Sequence, residues 1–180
     1  MLKIKKNNKA QIWIETATYT LIGLIILGIL LATTNPQIEK IKDKSAIVQT
    51  KEAMDILDNE LLDIKQSPGN IRIIDFKLSK GFLEIDAEND SIRYTLENTR
   101  LKFSQPNETI MEGNFLVKTE EQGDRFIVSL LLNYSTSLNI TCGDEIIRTI
   151  HPGTIAYKIK VENVGDNTFD EKTHIDFDII

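Results

Sequence analysis

A single cysteine, Cys142, stands among 180 residues, so no intramolecular disulfide can form and stability has to come from packing. Nothing beside it would activate a thiol, and it reads as a small strand side chain. Histidine is nearly as scarce. His151 and His174 are the two in the chain, and neither completes a Ser-His-Asp or Cys-His arrangement, so an enzyme is not expected. Positive charge is missing from most of the sequence. Lys3, Lys5, Lys6 and Lys9 crowd the first ten residues with no acid among them. Taking these four from the 21 basic residues leaves 17 against 27 acidic ones, a net of −10 in place of −6. Such a body repels polyanions, and no nucleic-acid partner is expected. Internal repeats, low-complexity tracts and disordered linkers are absent as well, which leaves room for one medium domain and one further element.

The further element is apolar. From Ile12 to Ala32 there is no Lys, Arg, Asp or Pro and one Glu, Glu15; as a helix this stretch spans ~32 Å, enough to cross a bilayer. A secretory signal has an apolar run of ~7–15 residues followed by small-residue cleavage signals. This run is longer and continues into helix-forming sequence, so it is expected to be retained. The lysines before it place the N-terminus in the cytoplasm and everything after Thr33 outside. Thr16, Thr18, Tyr19 and Thr20 form a collar whose hydroxyls can bond to the helix backbone. Gly23 and Gly28 lie five apart and do not make a small-xxx-small face.

Lys9-Ala10, followed by Gln11, with Glu15 at the fifth position after Ala10 and then the apolar helix, resembles the class III signal of archaeal type IV pilins and archaellins. In that family a membrane-embedded prepilin peptidase cuts after a Gly or Ala preceded by a basic residue, on the cytoplasmic side of the span, and the apolar helix stays in the product. The resemblance covers residues 3–32; beyond them it is architectural. It implies that Ala10 ends a leader, Gln11 becomes the new N-terminus and Glu15 is the family's acidic residue. Gly is frequent before the cut, and Ala takes its place here. The resemblance also implies partners: the membrane, the peptidase, copies of the chain or related pilins, and a pilus assembly machinery. No cofactor is implied. Glu15 itself has two readings. In a stack of helices it can meet the α-ammonium of Gln11 on a neighbour, which relieves the cost of an unpaired carboxylate in an apolar setting and selects the register. Alternatively it lies close enough to the helix end to snorkel to the interface.

After Pro36, which either kinks the helix or caps a new one, the pattern remains helical, with Ile38, Ile41, Val48, Met54, Leu57, Leu61 and Ile64 as an apolar stripe expected to pack on the following sheet. Ser67-Pro68-Gly69 ends it. From Asn70 the period changes to two. Nine segments, from IRIIDFKLS to THIDFDII, alternate or run apolar between turns at Ser79-Lys80-Gly81, Gln122-Gly123-Asp124, Cys142-Gly143-Asp144 and Pro152-Gly153. The expected fold is α+β: a long N-terminal helix, transmembrane then amphipathic, followed by an antiparallel β-sandwich or open barrel, the lollipop plan of pilins. The expected parts are a leader (1–10), a transmembrane or filament-core helix (11–35), an amphipathic helix (36–67) and an extracellular, Ig-like β domain (68–180).

Asp86, Glu88, Asp90 and Glu97 fall at positions 1, 3, 5 and 12 of a calcium-loop count, but position 6 is Ser91 instead of Gly, position 8 is Arg93 and the segment reads as a strand; an acidic hairpin turn is expected. His174, Asp176 and Asp178 alternate along the last strand ~7 Å apart, too wide for one metal ion, so no metal site is expected. Asn89-Asp90-Ser91, Asn107-Glu108-Thr109, Asn133-Tyr134-Ser135 and Asn139-Ile140-Thr141 are N-glycosylation acceptor tripeptides. Asn89 and Asn107, in turns, are the favoured pair, because Asn133 and Asn139 lie in or beside strands. The expected function is structural: a major or minor subunit of a cell-surface filament for adhesion or assembly. The alternative is a membrane-anchored β-sandwich binding protein that never polymerises.

Overall fold

The computed structural model describes residues 8–166 and 172–180, with side chains from Ile12 to Gly165 and from Lys172 onwards. The chain divides into two units, one ending at Glu39 and the other running Lys40–Ile180. One helix, α1 (Asn8–Lys65), contributes residues to both, and Pro36 lies inside it. Proline there removes the N–H that would bond to the carbonyl of Ala32. Ten strands follow: β1 (Ile71–Phe76), β2 (Phe82–Asp86), β3 (Ser91–Thr99), β4 (Thr109–Glu112), β5 (Phe115–Gln122), β6 (Arg125–Asn133), β7 (Leu138–Thr141), β8 (Ile147–Ile150), β9 (Tyr157–Asp166) and β10 (Thr173–Ile179).

The strands form two open sheets, and neither closes into a barrel. One has the order β1-β9-β10-β7, the other β4-β5-β6-β3-β2-β8. Pairing is antiparallel except between β10 and β7, which run parallel, Thr173 opposite Leu138. The fold is therefore α+β with antiparallel-rich sheets, as the change of period at Asn70 implies. β4 is the strand that alternation missed. Its four residues TIME are all exposed, so no inward face marks it in the sequence, and it is held by pairing with β5 on one side.

A single apolar core joins α1 and both sheets. Met54, Leu57, Leu61 and Ile64 are fully buried in the same cluster as Phe76, Val161 and Phe177 of one sheet and Leu83, Tyr94, Val117 and Leu130 of the other. The first half of the expected stripe is displaced. Ile38, Ile41 and Val48 are 43%, 68% and 40% exposed, and the buried face instead runs through Asp43, Ala46, Ile47 and Thr50. Two of these residues are polar, which is why an apolar count chose the wrong face.

The buried acids are held by distant partners. Asp43 accepts from Lys80 Nζ at 2.6 Å and Thr99 Oγ1 at 2.7 Å, and Asp58 accepts from Tyr134 Oη and Asn114 Nδ2, each at 2.7 Å. Burial, then the hydrogen bond and charge of Asp58, push the Tyr134 phenol far above its ordinary pKa, so it stays a donor. The helix C-terminus is capped from β9. The fully buried Asn163 donates from Nδ2 to the carbonyls of Ile64 (2.9 Å) and Lys65 (3.3 Å), satisfying groups that a helix end leaves open. Gly69 follows at φ +78° and terminates the helix where Ser67-Pro68-Gly69 predicts.

Candidate functional site

The feature that sets this chain apart from an ordinary α+β domain is the surface of α1 before Glu39. Each of the eleven isoleucines and leucines between Ile12 and Leu31 is 47–67% exposed, and Trp13 is 79% exposed. Full burial of one such side chain is worth ~1.5–3 kcal/mol, so the exposed halves together leave on the order of 10–20 kcal/mol unrealised in water. That equals the whole stability of a typical domain, ~5–15 kcal/mol. This stretch requires a lipid or protein environment to be tenable. It is one helix long and apolar enough to cross a membrane, with a mean hydropathy of 2.0 over its most apolar part.

Its polar groups are arranged to keep that surface apolar. The hydroxyls of Thr16, Thr18 and Thr20 donate to the carbonyls of Ile12 (2.9 Å), Ile14 (2.8 Å) and Thr16 (2.9 Å), and Thr34 donates to Leu30 at 2.7 Å. Each bond goes back four residues along the same helix, so the hydroxyl needs no partner from outside. This is the collar expected from the sequence. Glu15 is an exposed carboxylate within the same helix, five residues beyond Ala10. The backbones of Lys9, Ala10 and Gln11 belong to α1; their side chains lie outside the described residues, as do Lys3, Lys5 and Lys6.

The other patterns resolve into local bonding. Asp86 Oδ1 accepts from the N–H groups of Glu88 and Asn89, both at 3.0 Å, and its Oδ2 accepts from Asn89 Nδ2 at 2.8 Å. Desolvation raises the Asp86 pKa, but these bonds and the Arg93 charge outweigh it and hold the carboxyl below its ordinary value. Asp90, at φ +47°, accepts from the N–H of Ile140 (2.8 Å) and from Lys172 Nζ (3.2 Å). Asp86 and Asp90 of the calcium-loop count are thus engaged within the β2–β3 turn and with its neighbours. Asn89, one of the two favoured acceptors, has its amide tied to Asp86, and Ser91 of its tripeptide is buried. Asn107, the other, is exposed at φ +61°, with Thr109 exposed beside it at the start of β4.

His174 and Asp176 meet at Thr141. Its hydroxyl donates to Asp176 Oδ1 at 2.6 Å and lies 2.9 Å from His174 Nε2. One hydroxyl proton cannot serve both, so the ring nitrogen donates to Thr141 Oγ1. Among the described residues no group of three His, Cys, Asp or Glu side chains is placed to hold a metal ion. Cys142 is fully buried, and burial pushes its thiol up to about 11.

Comparison with protein-family models, with curated proteins and with solved structures finds no match to this chain.

Proposed function

We propose that the chain is a structural subunit of a surface filament of the archaeal type IV pilin and archaellin kind. It is inserted with its N-terminus in the cytoplasm and cut after Ala10. The apolar helix holds it in the membrane until subunits assemble with those helices as the filament core. The β-rich unit then lies outside the cell on the lollipop plan, its two sheets packed as a sandwich around α1. The observation that carries this reading is the exposed apolar surface between Ile12 and Leu31, directly after Lys9-Ala10-Gln11 and interrupted by one acid, Glu15. A membrane satisfies that surface before assembly, and neighbouring helices satisfy it afterwards. In both settings the backbone is bonded within the helix, as a water-free environment demands.

Glu15 gives the helix a register. A carboxylate at depth in a bilayer costs ~2.5–3.5 kcal/mol on insertion scales, and an α-ammonium on a neighbouring Gln11 offsets that cost only at one stagger of the two helices. The proposed role is assembly without chemistry: no catalytic group, no cofactor and no nucleic acid.

The N-terminal residue of the protein isolated from its own cells tests this. Gln11 is the expected first residue of the mature chain. Met1 intact on the mature protein overturns the reading and leaves the single-span, non-polymerising binding protein in its place.

A further inference from the structure

We infer that Asn133 is an N-glycan acceptor, used on the folded β-rich unit and presented by an anchored strand end; this rests on that unit lying outside the cell. Four tripeptides carry the acceptor pattern, and the structure sorts them by whether the amide nitrogen and the hydroxyl two residues on can both be reached; Asn107 and Thr109, both exposed, meet that condition in a turn, and Asn133 meets it at a strand end. At Asn89 the amide donates to Asp86 and Ser91 is buried. At Asn139, half-buried in β7, the Thr141 hydroxyl is spent between Asp176 and His174.

Asn133 differs from Asn89 and Asn139 on both counts. It is the last residue of β6 and exposed, and Ser135 is exposed beside it. Asn133 Oδ1 accepts from the N–H of Ser135 at 2.9 Å, an Asx turn that fixes the side-chain amide. Its Nδ2 donates to no described protein group and so remains available. Between the two, Tyr134 is 6% exposed and its phenol donates to the buried Asp58 at 2.7 Å. The middle residue of the tripeptide is thus a peg driven into the core, with the acceptor amide and its partner hydroxyl held outside on either side of it. Strand placement, which counted against Asn133 in the sequence, is what makes this presentation rigid.

Room for a sugar adjoins it. Asn133 and Ser135 border an open depression of about 460 Å³ whose walls include Glu88, Arg93 and Lys172, with Leu131 at its apolar side. That is within the range of small-ligand sites, ~300–1,000 Å³. Charged donors and acceptors around one apolar side chain suit the hydroxyls and the ring face of a first saccharide residue.

The transfer balances with a sugar activated on a lipid phosphate. Asn133 Nδ2 forms a bond to the anomeric carbon, the carbon–oxygen bond to phosphate breaks and takes its electron pair with the lipid phosphate, and Nδ2 loses one proton. No oxidant or reductant is involved.

Peptide mass mapping of the protein recovered from its own cells decides the matter. The Asn133 peptide is expected to carry a glycan, lost completely in N133Q and in S135A and retained in S135T, while N89Q changes no occupancy. A bare Asn133 on surface chains that begin at Gln11 overturns this inference and leaves the filament reading standing. A glycosylated Asn133 on chains that begin at Met1 supports it and overturns the filament reading. A bare Asn133 on chains that begin at Met1 overturns both.

Discussion

Replacing Asp58 by alanine removes the acceptor of two hydrogen bonds where α1 packs on the six-stranded sheet. Asp58 is 5% exposed and Tyr134 6% exposed, so the phenol is left without a partner and without water. Bonds to a charged acceptor are worth ~1.5–3 kcal/mol each, and an orphaned buried donor costs ~1–3 kcal/mol. Asn114 is exposed and its amide turns to water, so its bond returns little. The expected loss is about 2–5 kcal/mol. At a mid-range urea slope of ~2 kcal/mol per molar, the unfolding midpoint falls by about 1–2.5 M, read by circular dichroism on the full chain in mild detergent. Trp13 is a poor reporter, since it belongs to the unit that ends at Glu39. The companion variant carries Asp58→Leu and Tyr134→Phe together. Removing both partners of a buried bond costs far less than removing one, so this double change recovers most of the lost midpoint. A midpoint for Asp58→Ala within about 0.3 M of the parent, or a double variant as weak as the two single changes added, refutes the assignment of Asp58 as a clamp on α1.

Gly81 stands at φ +75°, and a Cβ there would overlap the Thr95 carbonyl oxygen and the Tyr94 ring; Gly81→Ala should cost more than about 2 kcal/mol by the same urea assay, whereas the same change at an ordinary helix glycine stabilises by ~0.5–1 kcal/mol. With its thiol pushed up to about 11 by burial, Cys142 should resist a thiol-specific reagent at pH 8 in the folded protein and react within minutes in denaturant. Since the Asp86 carboxyl is held below its usual 3.8 in the fold, its contribution to stability is complete above that value and is lost as pH falls through the lower folded one; an NMR titration placing it at or above 3.8 refutes the turn geometry. Glu15→Ala should leave cleavage after Ala10 intact and abolish regular filaments; normal filaments from cleaved Glu15→Ala subunits remove Glu15 from the assembly reading.

Local chemistry made the termini of elements legible. Ser67-Pro68-Gly69 ends α1, Ser79-Lys80-Gly81 makes the β1–β2 connection, and the expected strands from Phe82 to Ile179 hold a core-facing row except β8, where Ile150 alone is buried, because glycine, proline and period-two burial act over a few residues. β4 was not legible, since a strand with four exposed residues has no period to read. The parallel β7–β10 pair was not legible either: the register of Thr173 on Leu138 is set by which edge the last strand reaches, and residue types do not encode that over 35 positions. The pairing of Asn163 with the end of α1 spans 99 positions, and an asparagine in a strand pattern signals nothing about it.

The acids of α1 show where periodicity fails and why. Asp43 and Asp58 interrupt an apolar pattern, and a count of apolar residues turns them outward and turns Ile41 and Val48 inward. The fold does the reverse, because each carboxylate finds two donors, up to 76 positions away, and a paired acid no longer carries the penalty that would expel it. The exposed Ile41 and Val48 are then the remainder of a choice made by hydrogen bonding. The same logic governs Glu15 in the filament reading. An acid in an apolar helix is tolerated where partners are supplied, and for Asp43 and Asp58 the chain supplies them itself. For Glu15 the proposed supplier is the new N-terminus of a neighbour, which exists only after the cut at Ala10. Cleavage would therefore create the partner that makes close helix packing favourable, so that the apolar residues hold an uncut subunit in the membrane and Glu15 admits a cut one to the filament.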